Sequence, residues 1–133
     1  MHLKEYLGLS EGVGVLSTAD SDGRVDAAIY AKPHVMSDGT VAFIMRDRLT
    51  HQNLKDNPYA TYLFIEKVPG YRGVRLFLKK IKEDTDVELI QSMTRRSLSP
   101  EEDVAKGPKF LAYFEIEKAL NLIGGERSDL TLG

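Results

Sequence analysis

Apolar residues along this chain recur mostly at every second position, in short runs cut by glycine, proline and aspartate. That spacing is the signature of strands with one buried face. Residues 10–18 read as a first strand, and Asp22-Gly23 behind them is a strong hairpin signal, because both positions tolerate positive φ. The next strand alternates cleanly, with Val25, Ala27, Ile29 and Ala31 on one side and Asp26, Ala28, Tyr30 and Lys32 on the other. Pro33 ends regular pairing or marks an edge. A second hairpin signal at 37–39 leads into a strand over 40–45, and residues 59–66 and 74–84 again have period two. In the latter run, Val74, Leu76 and Leu78 oppose Arg75, Phe77 and Lys79.

Helical spacing is rarer. Residues 2–8 predict a short helix with Leu3, Tyr6 and Leu7 on one face, and 50–56 predict another that stops before Pro58. The best helix lies over 85–96, capped by Thr85 or Asp86, with Val87, Ile90, Met93 and Leu89 as its apolar stripe and the basic Arg95 and Arg96 at its end. Residues 97–107 are polar and read as a loop or mobile connection. From 109 the pattern returns to a strand, with Phe110, Ala112, Phe114 and Ile116 on one face, and the tail from Gly124 is expected to fray. The expectation is about six strands and two or three short helices in one domain spanning 1–133. Regular strand–helix alternation is absent, which disfavours a doubly wound sheet. A small antiparallel barrel, mainly β, fits best, since closure removes exposed edges.

Composition narrows the classes of function. The chain has 133 residues, 42% hydrophobic and 29% charged, with a net charge of −2. Such a balance gives no reason to expect a nucleic-acid or anionic-membrane partner. There are no cysteines, so disulfides, thiolate metal sites and cysteine nucleophiles are excluded. No apolar run is long enough to span a bilayer and the first residues lack a signal peptide's apolar segment, so a cytoplasmic location is expected. His2, His34 and His51 stand apart from one another, without metal-site spacing. No serine lies in a G-x-S-x-G elbow, and no catalytic residue can be assigned.

The strongest candidate for chemistry is the stretch IMRDRLTHQNLKDNP, residues 44–58. Arg46 and Arg48 stand where a helix starts, although the unpaired N–H groups there already carry partial positive charge. An anion held by those N–H groups and by both arginines makes the arrangement favourable, with Thr50 as helix cap and His51 and Asn53 as further donors. Read without a ligand, the stretch is a surface cap with solvated arginines partly balanced by Asp47. Tyr30 and Lys32 share a strand face with Ala28, and small residues beside them suit a flat ligand lying on strand backbone; a half-exposed strand face is the alternative. Arg75 interrupts an apolar strand, as a ligand, interface or plain surface residue.

Three stretches, residues 12–33, 39–64 and 73–84, together resemble the FMN-binding split-barrel family related to pyridoxamine 5′-phosphate oxidase. The most specific part is x-N-L-x-x-N-P, followed by the strand residues Ala60 and Phe64. The resemblance implies a six-stranded antiparallel split barrel, a homodimer and FMN bound at the subunit interface. It further implies an FMN-dependent oxidoreductase acting on a small-molecule substrate or electron donor. By the same resemblance the phosphate falls to Arg46, Arg48, Thr50 and His51, with Asn53 in support. The flavin ring and ribityl chain fall to Ala28, Ile29, Tyr30, Ala31 and Lys32, and Arg75 to the strand that approaches from the partner. Two departures stand out: Leu49-Thr50 replaces the oxidase's basic pair, and its C-terminal tryptophan- and arginine-containing segment has no counterpart. They argue against the vitamin B6 oxidase itself. A non-catalytic flavin or electron carrier, or a module for deazaflavin or haem, is the alternative.

Overall fold

A computed structural model of the chain describes residues 1–95 and 98–133. Within them the order is α1 (Leu3–Leu9), β1 (Gly12–Ala19), β2 (Val25–Ile29), β3 (His34–Val35), β4 (Val41–Arg46), α2 (Leu49–Asp56), β5 (Tyr59–Glu66), β6 (Gly73–Asp84), α3 (Val87–Met93), α4 (Pro100–Ala105) and β7 (Lys109–Asn121). The seven strands form one antiparallel sheet in the order β2-β1-β5-β6-β7-β4-β3. The fold is mainly β, as the alternation predicts. The strand count is seven rather than six because the two-residue β3 pairs with β4.

The hairpins sit where the turn residues place them. Gly23 and Gly39 adopt φ of 80° and 87°, the left-handed conformation that glycine reaches without steric cost. The sheet then curls so that alternate residues meet inside. Leu16 of β1, Phe64 of β5, Leu76 of β6, Phe114 of β7 and Val41 of β4 are fully buried together, with Leu3 and Leu7 of α1 closing one end. Phe43 of β4 lies 5.2 Å from Tyr62 of β5 by ring centroid, although those strands are not neighbours in the sheet. That contact across the interior is what curling of the sheet requires.

One glycine permits a close approach. The Tyr62 hydroxyl passes over Gly14 to donate to the Tyr30 carbonyl at 3.1 Å, and a Cβ on Gly14 would meet that hydroxyl at 1.8 Å. On the outside, α3 covers β4 and β7 with Ile90, Leu89 and Met93 against Leu111 and Tyr113. Asp86 caps α3 by accepting from the N–H groups of Glu88 and Leu89. Val87, expected in the apolar stripe, is instead 79% exposed.

Two connections differ from the sequence reading. The span expected as a loop at 98–107 contains α4, started by a capping box in which Ser99 accepts from the Glu102 N–H and donates to the Glu102 carboxylate. The tail from 124 is tied down rather than frayed. Thr131 pairs with His2, the Leu3 N–H donates to the Thr131 carbonyl at 2.8 Å, and Leu130 and Leu132 pack against the core. Arg96 and Ser97, expected at the end of α3 and the start of the loop, lie outside the described residues.

Candidate anion and flavin site

β4 ends on Arg46, the chain turns at Asp47 and Arg48, and α2 begins at Leu49. Arg48 is the N-cap, with extended backbone (φ −119°, ψ −173°) and no side-chain capping bond. The carbonyl of Arg48 accepts the Gln52 N–H at 3.0 Å, which leaves the N–H groups of Leu49, Thr50 and His51 without intrahelical acceptors. Thr50 is therefore not the cap that the sequence suggests. It lies inside the first turn, 3% exposed, with its hydroxyl near the Tyr30 phenol. Burial raises the Tyr30 pKa, and the nearby Thr50 hydroxyl offsets part of that rise.

Arg46 lies directly opposite Lys109 in the β4–β7 ladder. Like charges facing across a ladder are destabilising unless an anion joins them. Here the anion is Asp103 of α4, whose Oδ1 lies 2.7 Å from Arg46 and 2.9 Å from Lys109. Hydrogen bonds from Lys109 and Arg46 hold the Asp103 carboxyl below its ordinary range. Arg46 also donates to the carbonyls of Asp103 at 3.1 Å and Gly107 at 2.6 Å. Arg48 reaches only the Lys106 carbonyl, at 3.5 Å. Lys109 and Asp103 were not singled out in the sequence, because their meeting with Arg46 depends on strand register and on α4.

His51 and Asn53 face inward instead of toward a ligand. His51 is fully buried, its ring stacked on Phe110 at 4.0 Å. Nδ1 lies 2.8 Å from Asp47 and Nε2 2.7 Å from Glu83, so both ring nitrogens are already engaged. Asn53 donates to the Thr18 hydroxyl at 3.1 Å and joins α2 to β1. These residues position the helix start, and the phosphate role expected for His51 is not supported by its geometry.

The second group of predicted residues follows β2. Ala28 is half-buried on the Tyr30 side, while Ile29 and Ala31 are exposed. A cavity of about 170 Å³ lies beside Tyr30, Ala31 and Lys32, with Ala42, Phe43 and Ile44 of β4 on its other side and Met93 and Thr94 closing it. Lys32 forms part of this wall, but its ammonium donates to the carbonyls of Leu7 and Ser10 at 2.6 and 2.7 Å and so caps α1. Arg75 lies apart from the group, donating to the carbonyls of Asn121 and Gly124. The structure thus brings together Tyr30, Thr50, Arg46 and Arg48 at one end of α2, and assigns local structural bonds to Lys32, His51, Asn53 and Arg75.

No family model matches the chain, and no curated protein is a significant match. Solved structures do match over nearly the whole length. An FMN-binding protein from Syntrophomonas wolfei aligns at 16% identity and TM-score 0.73, over 92% of this chain and 85% of that one. A putative pyridoxamine 5′-phosphate oxidase from Lactobacillus delbrueckii aligns at 15% identity and TM-score 0.66, over 90% and 92%. HutZ, the haem storage protein of Vibrio cholerae, aligns at 16% identity and TM-score 0.64, over 91% and 95%. The chain has the split-barrel fold. In this split barrel the cation pair and the start of α2 occupy one end of β4, and the small cavity lies along the same strand. No described helix is long and apolar enough to cross a membrane.

Proposed function

We propose that this split barrel binds a phosphate-bearing flavin, FMN, in a homodimer and serves as a flavin-dependent oxidoreductase. The observation that carries the reading is the oxyanion already bound by Arg46 and Lys109 beside the uncapped start of α2. Those cations both donate to one carboxylate oxygen, Arg48 adds a more exposed charge, and the N–H groups of Leu49, Thr50 and His51 have no intrahelical acceptor. The donor set therefore fits a phosphate dianion. The ring system fits less completely: about 170 Å³ is below the roughly 300 Å³ at which ligand pockets begin, so another wall is needed.

A second copy of the chain is the proposed source of that wall. Ile29, Val15 and Leu63 stand side by side across β2, β1 and β5 on the outer face, and Ile29 and Val25 are 72% and 82% exposed. A contiguous apolar face of this kind suits association. A bound flavin supplies the hydride and electron chemistry, while this chain binds its phosphate, orients the ring along the Tyr30–Lys32 backbone and limits water.

Haem is the second reading, favoured by one feature. His34 borders the same cavity, and burial together with Arg95 keeps its pKa low, which favours the neutral imidazole that ligates iron. The absorbance spectrum of the purified protein, followed by titration with FMN, riboflavin, deazaflavin and haem, tests both readings. Yellow protein, or FMN binding tighter than riboflavin, is expected. Colourless protein that FMN in excess does not saturate would overturn the flavin reading.

A further inference from the structure

Helix α4 is attached to the barrel in an unusual way. Glu101, Glu102, Val104 and Ala105 are exposed, and neither Val104 nor Ala105 belongs to either apolar cluster. Beneath it lies a cavity of about 370 Å³ bordered by Val87, Ile90, Val104 and Pro108. A helix whose Val104 and Ala105 are both exposed and that borders a hollow gains little from packing. Its attachment is polar: the Asp103 carboxylate on Arg46 and Lys109, and the carbonyls of Asp103 and Gly107 on Arg46. Among the described residues, every hydrogen bond made by the Arg46 guanidinium goes to this one short segment.

The same two cations lie at the anion site proposed above. A carboxylate at 2.7 and 2.9 Å and a phosphate oxygen cannot occupy the same position. We infer that Asp103 is a built-in competing anion: α4 latches onto Arg46 and Lys109 when the site holds no ligand, and a phosphate-type dianion displaces it. The inference rests on the phosphate reading of this site, though not on the ligand being a flavin. A dianion carries more charge than the carboxylate, so it competes favourably for the two cations. Displacement frees α4 and opens the hollow beneath it, coupling ligand binding to exposure of residues 100–107.

Two measurements on the full chain test the latch. Asp103→Asn removes the competing charge at constant shape. It is expected to bind FMN and inorganic pyrophosphate about threefold tighter or more, in line with the modest strength of a part-exposed ion pair, with riboflavin affinity unchanged. In the unaltered protein, hydrogen exchange at residues 100–107 is expected to rise on adding pyrophosphate and to stay constant with riboflavin. Tighter pyrophosphate binding in the variant without any FMN binding would keep the latch and discard the flavin. FMN binding that is equally tight in both proteins, with no change of exchange at 100–107, would overturn the latch and leave the flavin reading standing.

Discussion

His51 Nε2 lies 2.7 Å from Glu83 Oε1, joining the first turn of α2 to the far end of β6. On its other side Nδ1 meets Asp47 at 2.8 Å, so one buried ring fixes the strand end, the turn and the helix start relative to one another. The candidate anion site at the start of α2 is therefore positioned by this bridge. Replacing His51 by Ala removes a fully buried ring, its stacking on Phe110 and two hydrogen bonds to carboxylates. The expected loss is about 2–4 kcal/mol of stability, measured by chemical denaturation. His51→Gln is expected to restore part of the stability and nearly all of the FMN affinity. If His51→Gln folds well yet loses phosphate-dependent affinity, His51 touches the ligand after all.

Acid should loosen the same bridge. The His51 hydrogen bond is the largest cause holding Asp47 below its ordinary pKa. For Glu83, burial alone would raise the pKa, but hydrogen bonds from Lys80 and His51 outweigh it and the net shift is downward. A carboxyl with a lowered folded pKa contributes stability that is complete above its unfolded value and lost as pH falls through the folded one. Thermal stability is therefore expected to hold at neutral pH and to decline as pH drops below about 4.5, the ordinary glutamate value. In Asp47→Asn/Glu83→Gln the acid limb should be shallower. An unchanged acid limb in that double variant would mean that other carboxylates control it, Asp103 included.

Gly14 is predicted to tolerate no side chain. Its Cβ would stand 1.8 Å from the Tyr62 hydroxyl and 2.7 Å from the Tyr30 carbonyl, and Tyr62 is fully buried with no room to retreat. Gly14→Ala should cost about 2–4 kcal/mol through displacement of the ring and loss of its bond to Tyr30. The Tyr30 backbone borders the proposed ring site, so FMN affinity should fall along with the melting temperature. A variant that melts normally would show that β1 can shift away from β5 at little cost.

How far the residues announced all this depends on the range of each interaction. Strand faces and the Gly23 and Gly39 turns were legible, because alternation and positive φ are properties of neighbouring residues. Pairing of His2 with Thr131 was not, since neither segment carries a local signal of the other. α4 was overlooked for the opposite reason. Its capping box at Ser99–Glu102 is local, but the helix has no apolar stripe, and periodicity is blind to a helix attached through a carboxylate and backbone carbonyls. At the site, Asp47 lies four residues from His51, whereas Glu83 lies thirty-two away on another strand. Only the fold reveals that His51 is fully engaged, and only the ladder register reveals Lys109 beside Arg46.

Arg48 separates a phosphate site from a surface cap. It is the exposed N-cap of α2 and among the described residues reaches one carbonyl, at 3.5 Å, so its removal should hardly affect folding. A charged hydrogen bond to phosphate is worth about 1.5–3 kcal/mol, or roughly ten- to a hundredfold in affinity. Arg48→Ala should weaken FMN by about that factor and leave riboflavin unchanged, as read by fluorescence titration. Equal losses for both ligands would remove Arg48 from the phosphate site.

The outer sheet face gives the remaining prediction. Ile29 is 72% exposed on an edge strand and lies in register with Val15 and then Leu63, so a charge there meets apolar neighbours across three strands. An exposed apolar face paired with its own copy loses area and gains an unpaired buried charge when Ile29 becomes Asp. If the proposed homodimer uses this face, the unaltered chain is expected to sediment as a dimer and Ile29→Asp as a monomer at the same concentration, with an unchanged far-ultraviolet spectrum. Because the cavity beside Tyr30 is too small alone, the monomer should also lose the flavin ring while retaining pyrophosphate at the start of α2. Retention of full FMN affinity by a monomer would place the whole flavin site within one chain and remove the need for a partner's wall.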